Sequence, residues 1–270
     1  MTTDNLIFQI KQKQSFLCVG LDIDKEKLPK HFAKDNNALF NFSKEIIDAT
    51  HDLCIAYKPN LAFYEAYGEE GYNALKKTVN YITENYSNIF LIADAKRCDI
   101  GNTATRYAKA FFEELPFHAI TVSPYMGKDS IEPFLEFKDK FTILLALTSN
   151  EGAYDFQTLT CENGKMLFEN VIETSAKWKN SENLMYVVGA TKPEYFKLIR
   201  KYVPNNFLLV PGVGAQGGSL DEVCKYGVVE NVKLIVNSSR EILYASSQKD
   251  FALAARQKAL EIKHSMEKYI

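Results

Sequence analysis

The segment IADAKRCDIGNT, residues 92–103, packs two acids and two bases against the end of an apolar run. Side chains on a strand alternate between its faces, so Ile92, Asp94 and Lys96 share one side while Ala93 and Ala95 point to the other. Lys58 ends another apolar run. If the two runs are neighbouring parallel strands, about 4.8 Å apart, Lys58, Asp94 and Lys96 form one array without special loop geometry. Asp99, three residues beyond Lys96, extends it to alternating charges. A structural salt bridge is the ordinary explanation of one isolated pair. Four charges on adjoining strand ends favour function. A lysine flanked by carboxylates keeps its proton, because nearby opposite charge favours the charged form. That suits a proton donor that quenches a developing carbanion. It weighs against Schiff-base chemistry, which needs a free amine.

A second constellation is LLVPGVGAQGG, residues 208–218, which runs into Ser219, Leu220, Asp221 and Glu222, a plausible helix start. Glycines let backbone N–H groups approach an anion, and a helix N-terminus adds favourable partial charge. Alone, this is better read as a tight connection. Asn237, Ser238, Ser239 and Arg240 follow the next apolar run and supply a guanidinium able to grip two oxygens, which makes the pair a phosphate cradle. Further polar residues stand at or just past the ends of apolar runs: Asp22, Ser123, Ser149 and Gln216. Asp22 reads as a hydroxyl acceptor and Asp24 as a solvated loop charge, so no metal is expected. Cys98 sits among carboxylates that disfavour a thiolate and reads as a spectator. The cysteines are odd in number without a C-x-x-C pair, and the histidines are scattered, so neither disulfides nor a zinc site is expected.

The elements that must position these groups are eight short apolar runs: 16–22, 53–59, 89–96, 118–124, 141–147, 184–190, 207–213 and 232–238. Helical periodicity fills the intervals, as in 61–85, 103–115 and 193–202. Strand then helix, eight times over, predicts a single (β/α)8 TIM barrel, with an open doubly wound sheet as the alternative. In such a barrel the active site lies at the C-terminal face of the strands, where the polar residues above fall. The chain of 270 residues has no Pro-, Gly- or Ser-rich linker, so one domain over 1–270 is expected. The long connection 148–165 reads as a lid, and 248–270 as a terminal helix outside the barrel. A net charge of −2 provides no field to recruit nucleic acid or an anionic membrane, and no apolar stretch is long enough for a span, which suggests a cytoplasmic protein.

Taken together, Asp94-x-Lys96-x-x-Asp99-Ile100, Lys58-Pro59-Asn60, the 211–218 turn and Arg240 give the chain a resemblance to the orotidine 5'-phosphate decarboxylase family from about Phe16 to Leu243. Thr148-Ser149-Asn150-x-Gly152-Ala153 and Asn237-Ser238-Ser239-Arg240 resemble its longer, mainly bacterial branch, with Glu151 where that branch often has proline. The resemblance implies decarboxylation of orotidine 5'-phosphate to UMP and CO2 without cofactor or metal. It implies that Lys96 protonates the C6 carbanion, that Asp94 faces the departing carboxylate, and that Lys58 bonds the ribose and Asp94. Asp99, Ile100 and Thr103 would cross a homodimer interface to complete the partner's site. Asp22 would contact ribose hydroxyls, Ser149 the pyrimidine, and Gln216 both ring and phosphate from a lid. Arg240 would hold the phosphate with backbone around Gly217, Gly218 and Ser239, while Asn60 and Ser123 complete the substrate-binding set. Sugar-phosphate enzymes that use magnesium share the Asp-x-Lys-x-x-Asp strand and remain a rival, as does a silent nucleotide-phosphate binder.

Overall fold

All eight apolar runs form strands: β1 (Leu17–Gly20), β2 (Ala56–Lys58), β3 (Phe90–Arg97), β4 (Ala119–Val122), β5 (Phe141–Leu147), β6 (Leu184–Val188), β7 (Leu208–Pro211) and β8 (Leu234–Ser238). The computed structural model describes residues 1–214 and 217–270, so Gln216 lies outside the described residues. The strands pair in parallel, in chain order, and β8 closes on β1. A parallel barrel wrapped by helices buries both faces of each strand, which is why these segments read as continuous apolar runs rather than alternating ones.

Helices fill the intervals with more interruptions than periodicity predicts. The 61–85 segment is two helices, Ala62–Glu65 and Gly68–Asn85, separated where Gly68 adopts φ +56°. The 103–115 segment begins earlier, as Gly101–Lys109, and widens into a π turn over Ala110–Glu114. The expected lid after β5 carries a short helix, Ala153–Phe156. The terminal helix, Phe251–Glu267, packs outside the barrel on Ala38–Thr50, with the Phe251 and Phe42 rings stacked at 4.9 Å.

The N-terminal ends of the strands are covered by the helix Thr3–Lys13, whose Lys13 Nζ donates to the carbonyls of His51 and Cys54 just before β2. At the opposite end the ladder between β3 and β4 slips. Ala93 pairs with Ile120 and Arg97 with Val122, so Asp94, Ala95 and Lys96 all face Thr121. Such a bulge bends its strand and re-aims the side chains it carries. Lys96 sits at its end with φ 48°, a left-handed conformation uncommon outside glycine.

Candidate active site

The C-terminal ends of the strands enclose a cavity of about 310 Å3. Its charged wall is built by β2 and β3. Lys58 Nζ donates to Asp94 Oδ2 at 2.8 Å and lies 4.0 Å from Asp22 Oδ1, while Lys96 Nζ donates to Asp94 Oδ1 at 2.5 Å. Asp94 therefore bridges two ammonium groups, one on each oxygen. Burial works against its charge, but the two lysines outweigh that and hold the carboxyl far below the ordinary aspartate range. Burial would likewise neutralise Lys58, and here Asp94 and Asp22 reverse the effect and hold the amine above its usual value. The packing of the two lysines differs. Lys58 is 5% exposed and Lys96 50%, so of the two cavity-lining lysines Lys96 is the more open to a ligand.

The rest of the lining is mixed. Leu145, Val187 and Leu209 give apolar surface, and Ser149, Asn150, Asn237, Ser239 and Arg240 give polar groups from the β5 and β8 ends. Two close approaches shape it. A Cβ on Gly20 would fall 1.8 Å from Ser239 Oγ, and one on Gly189 would fall 2.6 Å from the Ser149 nitrogen. Only glycine at those positions lets the Ser239 and Ser149 segments close over the barrel. Asp22 Oδ1 and Asn237 Oδ1 are buried acceptors without a hydrogen-bond partner among the described residues. Both residues line the cavity, and acceptors left unpaired by the fold are candidates for donors from a ligand, such as sugar hydroxyls.

The profile of the orotidine 5'-phosphate decarboxylase / HUMPS family matches residues 15–255. The chain belongs to that family. A Flavobacterium johnsoniae protein named orotidine 5'-phosphate decarboxylase is 63% identical over 270 residues, covering 100% of this chain and 98% of the relative. The structure of Leishmania donovani OMP decarboxylase superposes with a TM-score of 0.82 at 36% identity, over 98% of each chain. Leishmania donovani UMP synthase superposes with a TM-score of 0.83 at 37% identity over 97% of this chain, which spans 57% of that longer protein.

Of the positions that the resemblance to orotidine 5'-phosphate decarboxylases singled out, Asp22, Lys58, Asn60, Asp94, Lys96, Ser149, Ser239 and Arg240 line the one cavity. Others stand apart. Asp99 does not line it, and among the described residues no ion pair ties Asp99 to the array; its Oδ1 accepts the N–H of Ile100 at 2.8 Å. The expected extension to alternating charges within one chain is therefore not formed, because β3 ends at Arg97 and the chain turns into the helix Gly101–Lys109. Ile100 and Thr103 are exposed on that turn and helix. Ser123 also lies outside the lining, its N–H donating to the Arg97 carbonyl at 2.9 Å. In the glycine turn the N–H groups of Gly217 and Gly218 donate to Gly214 and Gly212 carbonyls at 2.8 and 3.0 Å, so neither is open to an anion in this conformation. Ser219 caps the helix that follows, as the turn composition suggested.

Three polar lining residues escaped sequence reasoning as site groups, Thr121, Thr148 and Asn150. Thr121 carried a usable signal. It is a lone hydroxyl inside the apolar strand AITV, two residues before Ser123 and so on the same expected face.

Proposed function

We infer that the chain decarboxylates orotidine 5'-phosphate to UMP and CO2. The observation that carries this reading is the Lys58, Asp94 and Lys96 array on the wall of a cavity that also takes in Ser149 and Arg240. A carbanion at C6 of the pyrimidine has no good resonance sink, so its stabilisation must come from fixed charge aimed at that carbon. In the proposed step the bond from C6 to the carboxylate breaks, the electron pair stays on C6, CO2 leaves, and a proton passes from Lys96 Nζ to C6. Asp94 faces the departing carboxylate and keeps Lys96 in place. Lys58, pinned by Asp94 and Asp22, reaches the ribose with Asn60, and the Asp22 carboxylate accepts a ribose hydroxyl. Ser149 reads the pyrimidine ring.

The phosphate end is assigned to Arg240 and Ser239, with Gly217, Gly218 and Gln216 joining when the turn rearranges and frees its amides. Binding energy gathered there drives closure and desolvation, and so contributes to turnover as well as to affinity. Residues 1–270 make up a single domain in this reading. Asp99, Ile100 and Thr103 are proposed to complete the site of a second copy in a homodimer. Large apolar exposure at Ile100 (49%), Tyr125 (88%) and Met126 (46%) supports an interface on this side. Mixing Lys96→Ala with Asp99→Ala chains tests it: heterodimers carry one intact site and should regain activity, and a mixture no more active than its parents would rule out sharing.

The direct test of the reaction is loss of orotidylate absorbance with purified protein, with and without EDTA. Turnover that survives EDTA is the expected result. No turnover under either condition would end the decarboxylase reading, and turnover restored only by magnesium would move the chain towards the metal-dependent sugar-phosphate chemistry.

A further inference from the structure

Between Lys96 and Asp94 stands a hydroxyl that the mechanism above leaves unused. Thr121, on β4, is 1% exposed. Its Oγ1 accepts the Lys96 backbone N–H at 2.9 Å and donates to Asp94 Oδ1 at 3.1 Å. The direction of both bonds is dictated by their partners. A backbone N–H can only donate and an ionised carboxylate can only accept, so the single hydroxyl proton must point to Asp94.

The place of this hydroxyl explains its use. In a regular parallel ladder, main-chain groups of β4 would hold the β3 backbone, but Lys96 falls inside the register slip between Ala93 and Arg97. Its N–H goes to the Thr121 side chain instead. The Lys96 side chain is 50% exposed, so packing does little to aim it, and its direction follows from its backbone at φ 48° and its ion pair with Asp94. Lys58, by contrast, is aimed by burial as well as by its carboxylates. One oxygen thus ties together the main chain of the half-exposed lysine and the carboxylate that it pairs with.

Resting on the decarboxylase reading, we propose that Thr121 is a positioning residue for the proton transfer: it holds the β3 bulge so that the Lys96 ammonium lies on line with the reacting carbon. Thr121 touches neither the leaving carboxylate nor C6 in this role. It acts through Lys96 and Asp94.

Thr121→Val keeps the side-chain shape and removes both bonds, while Thr121→Ser keeps the oxygen. In Thr121→Val, kcat should fall on the order of 10²-fold, the scale of a misplacement near 1 Å. The Kd for UMP should move by less than about threefold, and Thr121→Ser should recover kcat to within about threefold of wild type, because the lost interaction belongs to the transition state. Thr78→Val serves as the control. Its hydroxyl is equally buried and bonds the Ala74 carbonyl at 2.8 Å, in a helix away from the cavity, so its loss should lower the thermal midpoint and leave kcat unchanged. Thr121→Val at a wild-type rate, or Thr121→Ser as slow as Thr121→Val, overturns the proposal. Should Thr121→Val not fold, Thr121→Ser against Thr121→Ala provides the same contrast. Absence of turnover in the wild-type protein would instead sink the decarboxylase reading on which the proposal rests.

Discussion

At the N-terminal rim of the barrel, buried and half-buried cations end on main-chain carbonyls. Arg200 donates to those of Gly227, Val203, Asn206 and Lys233 at 2.7–3.3 Å, Lys140 to Phe117 at 2.6 Å, and Lys13 to His51 and Cys54. At the C-terminal rim, Lys58 and Lys96 end on Asp94, which they share, and all three border open space. The electrostatic outcome is opposite. Burial pushes Arg200 down to about 10 and also lowers Lys140 and Lys13, whereas the carboxylates around Lys58 overcome its burial and raise it. A cation saturated by carbonyls tapes loops together and has nothing left for a ligand. A cation held by a shared carboxylate at a cavity keeps its charge and remains available to one.

Four outcomes would sharpen or break that contrast. The largest effect belongs to Lys96→Ala, which should lower the decarboxylation rate by at least about 10²–10⁴-fold, the range for a lost proton donor, while binding of UMP stays measurable. Substantial turnover would remove Lys96 from its role. Next, Arg200→Met should lower unfolding free energy by about 3 kcal/mol, since several buried carbonyls lose their donor, with kcat and KM of the folded fraction unchanged. A kinetic defect larger than the stability defect would mean that the two rims are not separate in function. Third, Arg240→Ala should weaken UMP binding by about 1.5–3 kcal/mol, as for a lost hydrogen bond to a charged group. Unchanged binding of UMP, with uridine as the phosphate-free reference, would clear Arg240 of phosphate contact.

The smallest effect is at His118, where the N-terminal rim should show a pH signature. Burial, with the N-terminal amine and Lys140 nearby, lowers its pKa to about 3, and its Nδ1 accepts the Leu91 N–H at 3.0 Å. The unfolded chain takes up this proton near pH 6.5 and the folded chain does so only near pH 3, so stability falls as pH drops through that window. The loss between pH 6.5 and 5 should be roughly 2 kcal/mol. His118→Asn should flatten urea-midpoint profiles over this range, and an unaltered slope would contradict the assignment. The Asp94 carboxyl has the same sign at lower pH: its pairing stabilises the fold above the ordinary aspartate range and is lost only as pH falls towards its depressed value.

All eight strands were legible because burial on both faces leaves a continuous apolar run, a local signal that needs no knowledge of partners. Asp94 and Lys96 were legible together for a similar reason, since alternation along one strand puts them on one side. Lys58 joined them because regular parallel pairing brings its strand end alongside, whereas groups whose place depends on an irregular register or turn were not legible. Thr121 matters only because β3 slips against β4 by two residues, a register that neither strand encodes by itself. Asp99 looked like a continuation of the array because three residues separate it from Lys96, yet β3 stops at Arg97 before the spacing can act. The glycines at 217 and 218 were expected to present their amides to an anion, and in this conformation the turn satisfies those amides within itself.

The central claim is geometric, and a crystal structure with bound UMP tests it most directly. The pyrimidine should lie over the Asp94 and Lys96 wall with C6 about 3–3.5 Å from Lys96 Nζ, the separation of a near-attack arrangement. A ring seated away from that wall, or Lys96 turned to bulk solvent with UMP in place, would contradict the account.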